Sequence, residues 1–351
     1  MIITITPNPS LDRTLEVQAL EPGEVNRAHA THVDAGGKGI NVTRALTANG
    51  LASVAVFPSG GSDGARLVAD LRDGGVVARP VETGTDTRSN ITVVDGRGAT
   101  TKINAPGSPL TEDAAVLLLS TLAEEIRLAT EAGETALVVG AGSLPAGAGD
   151  DFYVRVTEVA AAHGARTVLD TSGAPLRAAV AVGGLTLVKP NEEELAELVG
   201  RPLTTVGAVV DAARQVMESG VTAVLVSLGA HGALLVTDGT VLWGGGPALV
   251  PASTVGAGDV TLAGFLGALV ASGPTSTATA AGPASTATAA GATSTATLDL
   301  DTAALALRQA VAWGRAAVLL PGSAVPHPHD IHLDDVEIIT DPSRHIALKE
   351  L

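Results

Sequence analysis

A chain of 351 residues with 46% hydrophobic content can bury one substantial core, or one domain with a small appendage. Its 37 acidic against 21 basic residues give a formal net charge of −16, which argues against a general nucleic-acid surface, and six aromatic rings in all (two Trp, one Tyr, three Phe) leave little to stack on bases. The absence of cysteine removes disulfides and thiolate metal sites, no apolar run reaches membrane-spanning length, and Met1 to Thr6 is too short and uncharged for a signal peptide, so a cytoplasmic protein is expected.

In chain order, a strand is predicted over Ile2 to Thr6, exposed strands over Arg13 to Val17 and Arg27 to Val33, a helix over Gly39 to Ala48, a strand over Ser53 to Phe57 and a helix over Gly64 to Arg72. Two more exposed strands, Ser89 to Val94 and Thr100 to Asn104, precede a helix over Glu112 to Glu131. Strands over Ala136 to Val139, Arg166 to Leu169, Leu185 to Val188 and Val221 to Ser227 then alternate with helices over Asp150 to Ala162, Glu192 to Leu198 and Gly207 to Glu218. This alternation predicts an α/β fold, a mostly parallel sheet with helices on both faces, whose ligands bind outside the carboxyl ends of the strands.

From Thr275 to Thr297 the chain is almost wholly Thr, Ala, Ser, Gly and Pro, with Ser-Thr-Ala-Thr beginning at Ser276, Ser285 and Ser294. Such a segment lacks large apolar groups to offset ordering entropy and predicts a low-complexity loop between two terminal helices. His327, His329 and His332 cluster in a Pro-rich tail without a matching carboxylate pattern, and no metal is expected there.

Chemistry concentrates in two stretches. Ser253-Thr-Val-Gly-Ala-Gly-Asp259 opens an apolar run through Leu262, Phe265, Leu266 and Leu269 that reads as a buried helix. Its glycines let backbone approach a ligand, and the unpaired N–H groups of a helix N-terminus favour a phosphate. Asp259 beside that phosphate reads either as a base for an attacking hydroxyl or as an ordinary first-turn residue. Upstream, Asp34-Ala-Gly-Gly-Lys-Gly-Ile-Asn-Val-Thr-Arg-Ala-Leu46 offers close backbone at Gly36 and Gly37, a point charge at Lys38, and a side chain that both donates and accepts at Asn41. A dinucleotide loop is the rival reading of these glycines, but the G-x-G-x-x-G spacing and the following acidic strand end are not in place.

Together these stretches resemble the paired signatures of the PfkB, or ribokinase-like, sugar kinases. The likeness also includes Thr6-Pro-Asn-Pro-Ser-Leu-Asp12, Val25-Asn-Arg27, Gly142-Ser-Leu-Pro145, Val188-Lys-Pro-Asn-Glu-Glu-Glu194 and Ser227-Leu-Gly229, and runs from Ile2 to about Gly322. Within the family it is most similar to the 1-phosphofructokinases, with tagatose-6-phosphate kinases and minor 6-phosphofructokinases as near relatives. The resemblance implies a doubly wound, mostly parallel sheet with a small β lid. The kinase domain would cover residues 1–322, with lid strands within about 13–33 and 88–104 and the loop 275–297, followed by a tail over 323–351. It also implies ATP and Mg2+, a phosphorylated ketohexose as acceptor, a homodimer through the lid, and no nucleic-acid or membrane partner.

The family's roles carry over residue by residue. Backbone N–H groups of Gly256, Ala257, Gly258 and Asp259 would hold the transition-state charge and Asp259 would take the proton; the usual Ser or Ala after the Asp is Val260 here. Asp12, Gly37, Lys38, Asn41, Arg88, Asn90 and Ser143 would bind the sugar phosphate, with its phosphate anchored among Lys38, Arg88 and the lid, and Arg27 as a weaker candidate. Lys189, Asn191, Ser227, Gly229 and Gly232, with Gly256 and Gly258, would bind ATP, and a late helix around Ala312 to Leu319 would wall the adenine. Glu194 would organise magnesium through water, while Glu192 and Glu193 read equally as helix-dipole partners. The expected reaction is phosphorylation of fructose 1-phosphate at its 6-hydroxyl to give fructose 1,6-bisphosphate. The alternatives are tagatose 6-phosphate or fructose 6-phosphate as acceptor, and a non-catalytic sugar-phosphate-binding regulator.

Overall fold

In the computed structural model the described residues are 1–272 and 298–351, so the low-complexity stretch 275–297, expected as a loop, lies outside the described residues. The chain runs through β1 (Ile2–Ile5), β2 (Ser10–Val17), β3 (Ala28–Gly36), α1 (Lys38–Ala48), β4 (Ser53–Ser59), α2 (Gly61–Asp73), β5 (Val77–Glu82), β6 (Arg88–Asp95) and β7 (Thr100–Ile103). It continues through α3 (Glu112–Glu131), β8 (Leu137–Ala141), α4 (Phe152–Ala162), β9 (Arg166–Asp170), α5 (Gly173–Val182), β10 (Leu187–Val188), α6 (Glu192–Val199), α7 (Val206–Met217) and β11 (Ala223–Ser227). Then come β12 (Ala233–Thr237), β13 (Val241–Gly245), α8 (Ala257–Ala271), α9 (Leu300–Val318) and β14 (Glu337–Thr340).

Two sheets result among the described residues. The main sheet has the order β14-β13-β12-β11-β10-β9-β8-β1-β4-β5, parallel from β11 to β5 and antiparallel from β11 to β14. Alternation along its strands assigns the faces: Ile2, Leu137 and Val139 pack with α1, α8 and α9, whereas Ile3, Ile5 and Val138 pack with α3, α4 and α7. A strand covered on both faces must be apolar on both, and β1 and β8 are buried along their whole length. The second sheet, β3-β2-β6-β7, is the separate lid, half-buried or exposed along most of its length as expected.

Three features were not read as elements, β5, α5 and the outer strands β13 and β14, whereas the turn from Ser227 to Gly232 is expected between apolar strands and does join β11 to β12. Beyond residue 322, where only a tail is expected, β14 pairs Glu337 to Thr340 with β13 and forms the edge of the main sheet. Its Glu-Ile-Ile-Thr is too short for periodicity to mark a strand. Helix α8 is apolar all round and buried from Asp259 to Ala268, because α1 and α9 pack against it. Its first turn, the start of α1, and the ends of β9, β10 and β11 therefore meet on one rim of the sheet.

Candidate active site

The anion turn forms as its residues require. Gly256 adopts a left-handed φ of 74° and caps α8 without a side-chain bond. The N–H groups of Gly256, Ala257 and Gly258 donate to no acceptor among the described residues, as three of the unpaired donors of a helix start. Asp259 N–H differs from expectation: it donates to Gly256 O at 3.0 Å, closing the turn, so it is committed within the backbone. The Asp259 side chain is buried and accepts from Asn41 Nδ2 at 2.8 Å on Oδ2. Burial, and then the charge of Asp170, push its carboxyl up to about 6, against the pull of Lys38, Asn41 and Lys189.

Asp170, at the carboxyl end of β9, is the residue that sequence reading missed. Its side chain is fully buried, accepts from Lys38 Nζ at 2.7 Å on Oδ1, and lies 3.0 Å from Lys189 Nζ through Oδ2. Burial pushes Asp170 up, but Lys189 and Lys38 outweigh it and hold the carboxyl below its ordinary range. Burial also pulls Lys38 down, and Asp170 and Asp259 overcome that and keep it firmly charged. Lys189 is almost fully buried, and its ammonium would lie 3.5 Å from a Cβ added at Gly258. Both lysines thus flank the anion turn.

Of the sugar-side candidates, Asn41 and Lys38 belong to this group, and the others are held by bonds of their own. Register sets Asp12 of β2 opposite Asn90 of β6, and Asp12 Oδ1 accepts from Ser10 Oγ at 2.7 Å and from Asn90 Nδ2 at 3.0 Å. A Cβ at Gly36 would come within 2.3 Å of Asp12 Oδ2, so a larger residue there would displace the carboxylate. Gly37, with φ 125°, leads into α1. Arg88 donates to Ala105 O at 2.7 Å and Asn8 O at 3.1 Å, and its Nε is buried without a partner among the described residues. Ser143 Oγ accepts from Asn8 Nδ2 at 3.3 Å, which joins the Gly-Ser-Leu-Pro turn to the same neighbourhood. Arg88 bonds to the backbone of Asn8 and Ala105, and Lys38 bonds to Asp170. Arg27 is exposed in the loop before β3.

Beside the turn lies a cavity of about 330 Å³, lined by Ala257 and Gly258 of the turn, by Asn191, Ser227, Gly229 and Gly232, and by Val311, Gly314 and Val318 of α9. Two glycines are dictated by close approach: a Cβ at Gly232 would meet Gly244 O at 2.0 Å, and one at Gly314 would meet Thr261 Oγ1 at 2.2 Å. Asn191 caps α6 by accepting from Glu194 N at 2.7 Å, and Glu194 Oε2 accepts from Asn191 N at 2.9 Å. This box commits one Glu194 oxygen and leaves the other without a donor among the described residues.

A model of the pfkB family of carbohydrate kinases matches residues 6–303. The chain belongs to that family. It is 38% identical over 272 residues to a 1-phosphofructokinase of Xanthomonas campestris pv. campestris, covering 76% of this chain and 84% of that one. It is 39% identical over 260 residues to the ATP-dependent 6-phosphofructokinase isozyme 2 of Escherichia coli, covering 74% and 82%. Among solved structures, E. coli phosphofructokinase-2 in complex with potassium superposes with a TM-score of 0.79 at 33% identity, over 94% of this chain and 96% of that one.

A pfkB kinase uses ATP as phosphoryl donor, and the chain carries the ribokinase-like α/β fold read from its sequence, with a mostly parallel sheet. Arabidopsis thaliana ribokinase, 21% identical, shares that fold with a TM-score of 0.66 over 94% of this chain and 96% of that one. Among the described residues no group of three or more His, Asp or Glu could hold a metal by itself. The rings of His327 and His329 stack with centroids 5.8 Å apart. Magnesium keeps most of its water and binds largely through substrate phosphates, so Glu194 with one oxygen uncommitted fits a water-mediated role. Asp170 could have been suspected only as an acidic residue ending an apolar strand, since its two cationic partners are distant in sequence.

Proposed function

We propose that this pfkB kinase transfers the γ-phosphoryl group of ATP to the 6-hydroxyl of fructose 1-phosphate, giving fructose 1,6-bisphosphate and ADP. The observation that carries the reading is Asp259, a buried carboxyl poised at about 6 in the first turn of α8, beside free backbone donors and two lysines. ATP fills the apolar cavity with its base against α9 and its phosphates on Gly256 to Gly258, with Asn191, Ser227, Gly229 and Gly232 along its length. Asp259 takes the proton as the hydroxyl oxygen bonds to the γ-phosphorus. The bond from that phosphorus to the β,γ-bridging oxygen breaks, and ADP leaves. Lys38, Lys189 and the N–H groups of the turn offset the charge on the moving group. Magnesium, when bound, neutralises phosphate charge, and Glu194 would hold its water shell.

On the acceptor side, Oδ2 of Asp12, with Asn90 and Gly37, and Asn41 beside Asp259, read the ring hydroxyls. Arg88 and Ser143 anchor the phosphate already on the sugar. The two ends of a ketohexofuranose are nearly alike, so fructose 6-phosphate or tagatose 6-phosphate reacting at carbon 1 is the second reading, supported by the names of the 6-phosphofructokinase relatives. The intact Asp259 and its charged neighbours argue against a regulator that has lost turnover. A coupled ADP-release assay with the three sugar phosphates tests all of this. The highest kcat/KM is expected on fructose 1-phosphate; a higher value on either 6-phosphate moves the assignment to that acceptor, and no ADP release with any of them removes the kinase reading.

The reading includes a homodimer through the lid, whose edge strands β3 and β7 have unpaired sides and whose Ile103 is 59% exposed. Light scattering of Ile103→Asp tests it by loss of the dimer. A cytoplasmic location is part of the same proposal, and no helix among the described residues is long and apolar enough to cross a membrane.

A further inference from the structure

Arg44 lies one helical turn beyond Asn41 on α1 and has no place in the roles described so far. Its Nη1 donates to three acceptors: Ala35 O at 2.9 Å, Ser323 O at 3.2 Å and Asn41 Oδ1 at 3.3 Å. Asn41 donates in turn from Nδ2 to Asp259 Oδ2 at 2.8 Å. A guanidinium has only donors and an ionised carboxylate only acceptors, whereas an amide has one end of each kind. Held between them, the Asn41 amide is satisfied in a single orientation. Rotated by half a turn, it would set its NH2 against the guanidinium and its carbonyl against the carboxylate.

We propose that Arg44 is a positioning residue for the base: through Asn41 it keeps Asp259 Oδ2 as the hydrogen-bonded oxygen and leaves Oδ1 to take the acceptor's proton. The inference rests on Asp259 being the base, as proposed above. It also explains why one nitrogen reaches three elements. The Ala35 carbonyl in β3 and the Ser323 carbonyl after α9 fix the guanidinium from outside α1, so the orientation of the amide depends on how the lid root and the end of α9 are packed. Asp259 is faced by Asp170 from β9, Lys38 from α1 and Lys189 after β10. Arg44 is faced by Asp34 of β3, 3.8 Å away, and by Asp12 of β2 and Asp70 of α2. Because these charges also act on the chain of contacts, the decisive comparison is with Asn41→Ala in the same background.

The test measures kcat, both KM values and the pH profile of kcat for Arg44→Met, Asn41→Ala and the double variant. Loss of a donor to the charged form disfavours the ionised base, so the acid limb of kcat should move to higher pH in both single variants, by about half a unit. Arg44→Met should lower kcat about tenfold with each KM within about threefold, and the double variant should be no slower than Asn41→Ala alone. Arg44→Lys, which keeps the charge but not the three-way geometry, should fall between, and it serves as the reading if Arg44→Met does not fold. An unmoved acid limb, additive losses in the double variant, or a raised KM with unchanged kcat would each overturn the proposal. If Asp259→Asn kept normal turnover, the base reading itself would fail; an inactive Asp259→Asn with an unmoved limb in Arg44→Met would sink this inference alone.

Discussion

Lys38 Nζ donates to Asp170 Oδ1 at 2.7 Å, and the other oxygen of the same carboxylate faces Lys189 at 3.0 Å. One buried anion thereby holds two cations, from α1 and from the end of β10, beside the anion turn. Removing one member of a buried charged group leaves the others uncompensated at a cost of about 3–5 kcal/mol. Asp170→Asn should therefore lower stability by that order in denaturant unfolding. Asp170 also raises the Asp259 carboxyl, so the acid limb of kcat should move to lower pH. Unchanged stability would show that the three groups do not act together.

Asp259→Asn should lower kcat by roughly 10²–10⁴-fold, with both KM values little changed, because the acceptor proton loses its base while the side chain keeps its shape. A variant with near-normal turnover across pH would remove Asp259 from that role. In the wild type, kcat should rise with pH through about 6 as the base ionises. The linkage to stability runs the other way. The folded-state value lies above the ordinary 3.8, so the folded chain binds this proton more tightly than the unfolded one. Stability from this group is full below about 3.8 and falls as pH rises toward about 6. Asp259→Asn should thus melt higher than wild type at pH 8, by differential scanning calorimetry, with the difference shrinking at pH 4. An equal or lower melting temperature at pH 8 would contradict the buried-charge account.

Arg88→Ala and Lys38→Ala should separate kinetically. Arg88 stands in the lid cluster with Asn8, and its loss should raise KM for the sugar phosphate far more than KM for ATP. Lys38 stands with Asp170 and Asp259, and its loss should fall mainly on kcat. Steady-state kinetics with both substrates varied would expose the reverse pattern, which would return Lys38 to the distal anchor.

Replacing residues 275–297 with a short Gly-Ser linker should preserve activity. Helix α8 runs 15 residues from the anion turn to Ala271, about 20 Å at 1.5 Å per residue. A tenfold fall in kcat in a folded variant would assign the segment a function.

What the sequence determined by itself lies in short-range chemistry. The glycines around Asp259 and Lys38 and the alternation of the buried strands are local demands of backbone geometry and side-chain period, and they suffice to mark the turn, the base candidate and the parallel sheet, while the lid came from the family resemblance. A lone cation such as Lys38 marks where a phosphate could bind but not its counter-ion, and strand order supplies that: β8 lies between β1 and β9, and this arrangement brings Lys38 to an aspartate 132 residues away. The same holds for Arg44, whose acceptors include a carbonyl 279 residues distant, and for β14, whose pairing depends on an exposed edge of β13 rather than on its own four residues. Counter-ions and hydrogen-bond partners that meet only across the sheet leave no period or spacing to read, since burial makes each indispensable to the other without constraining what stands beside it in the chain.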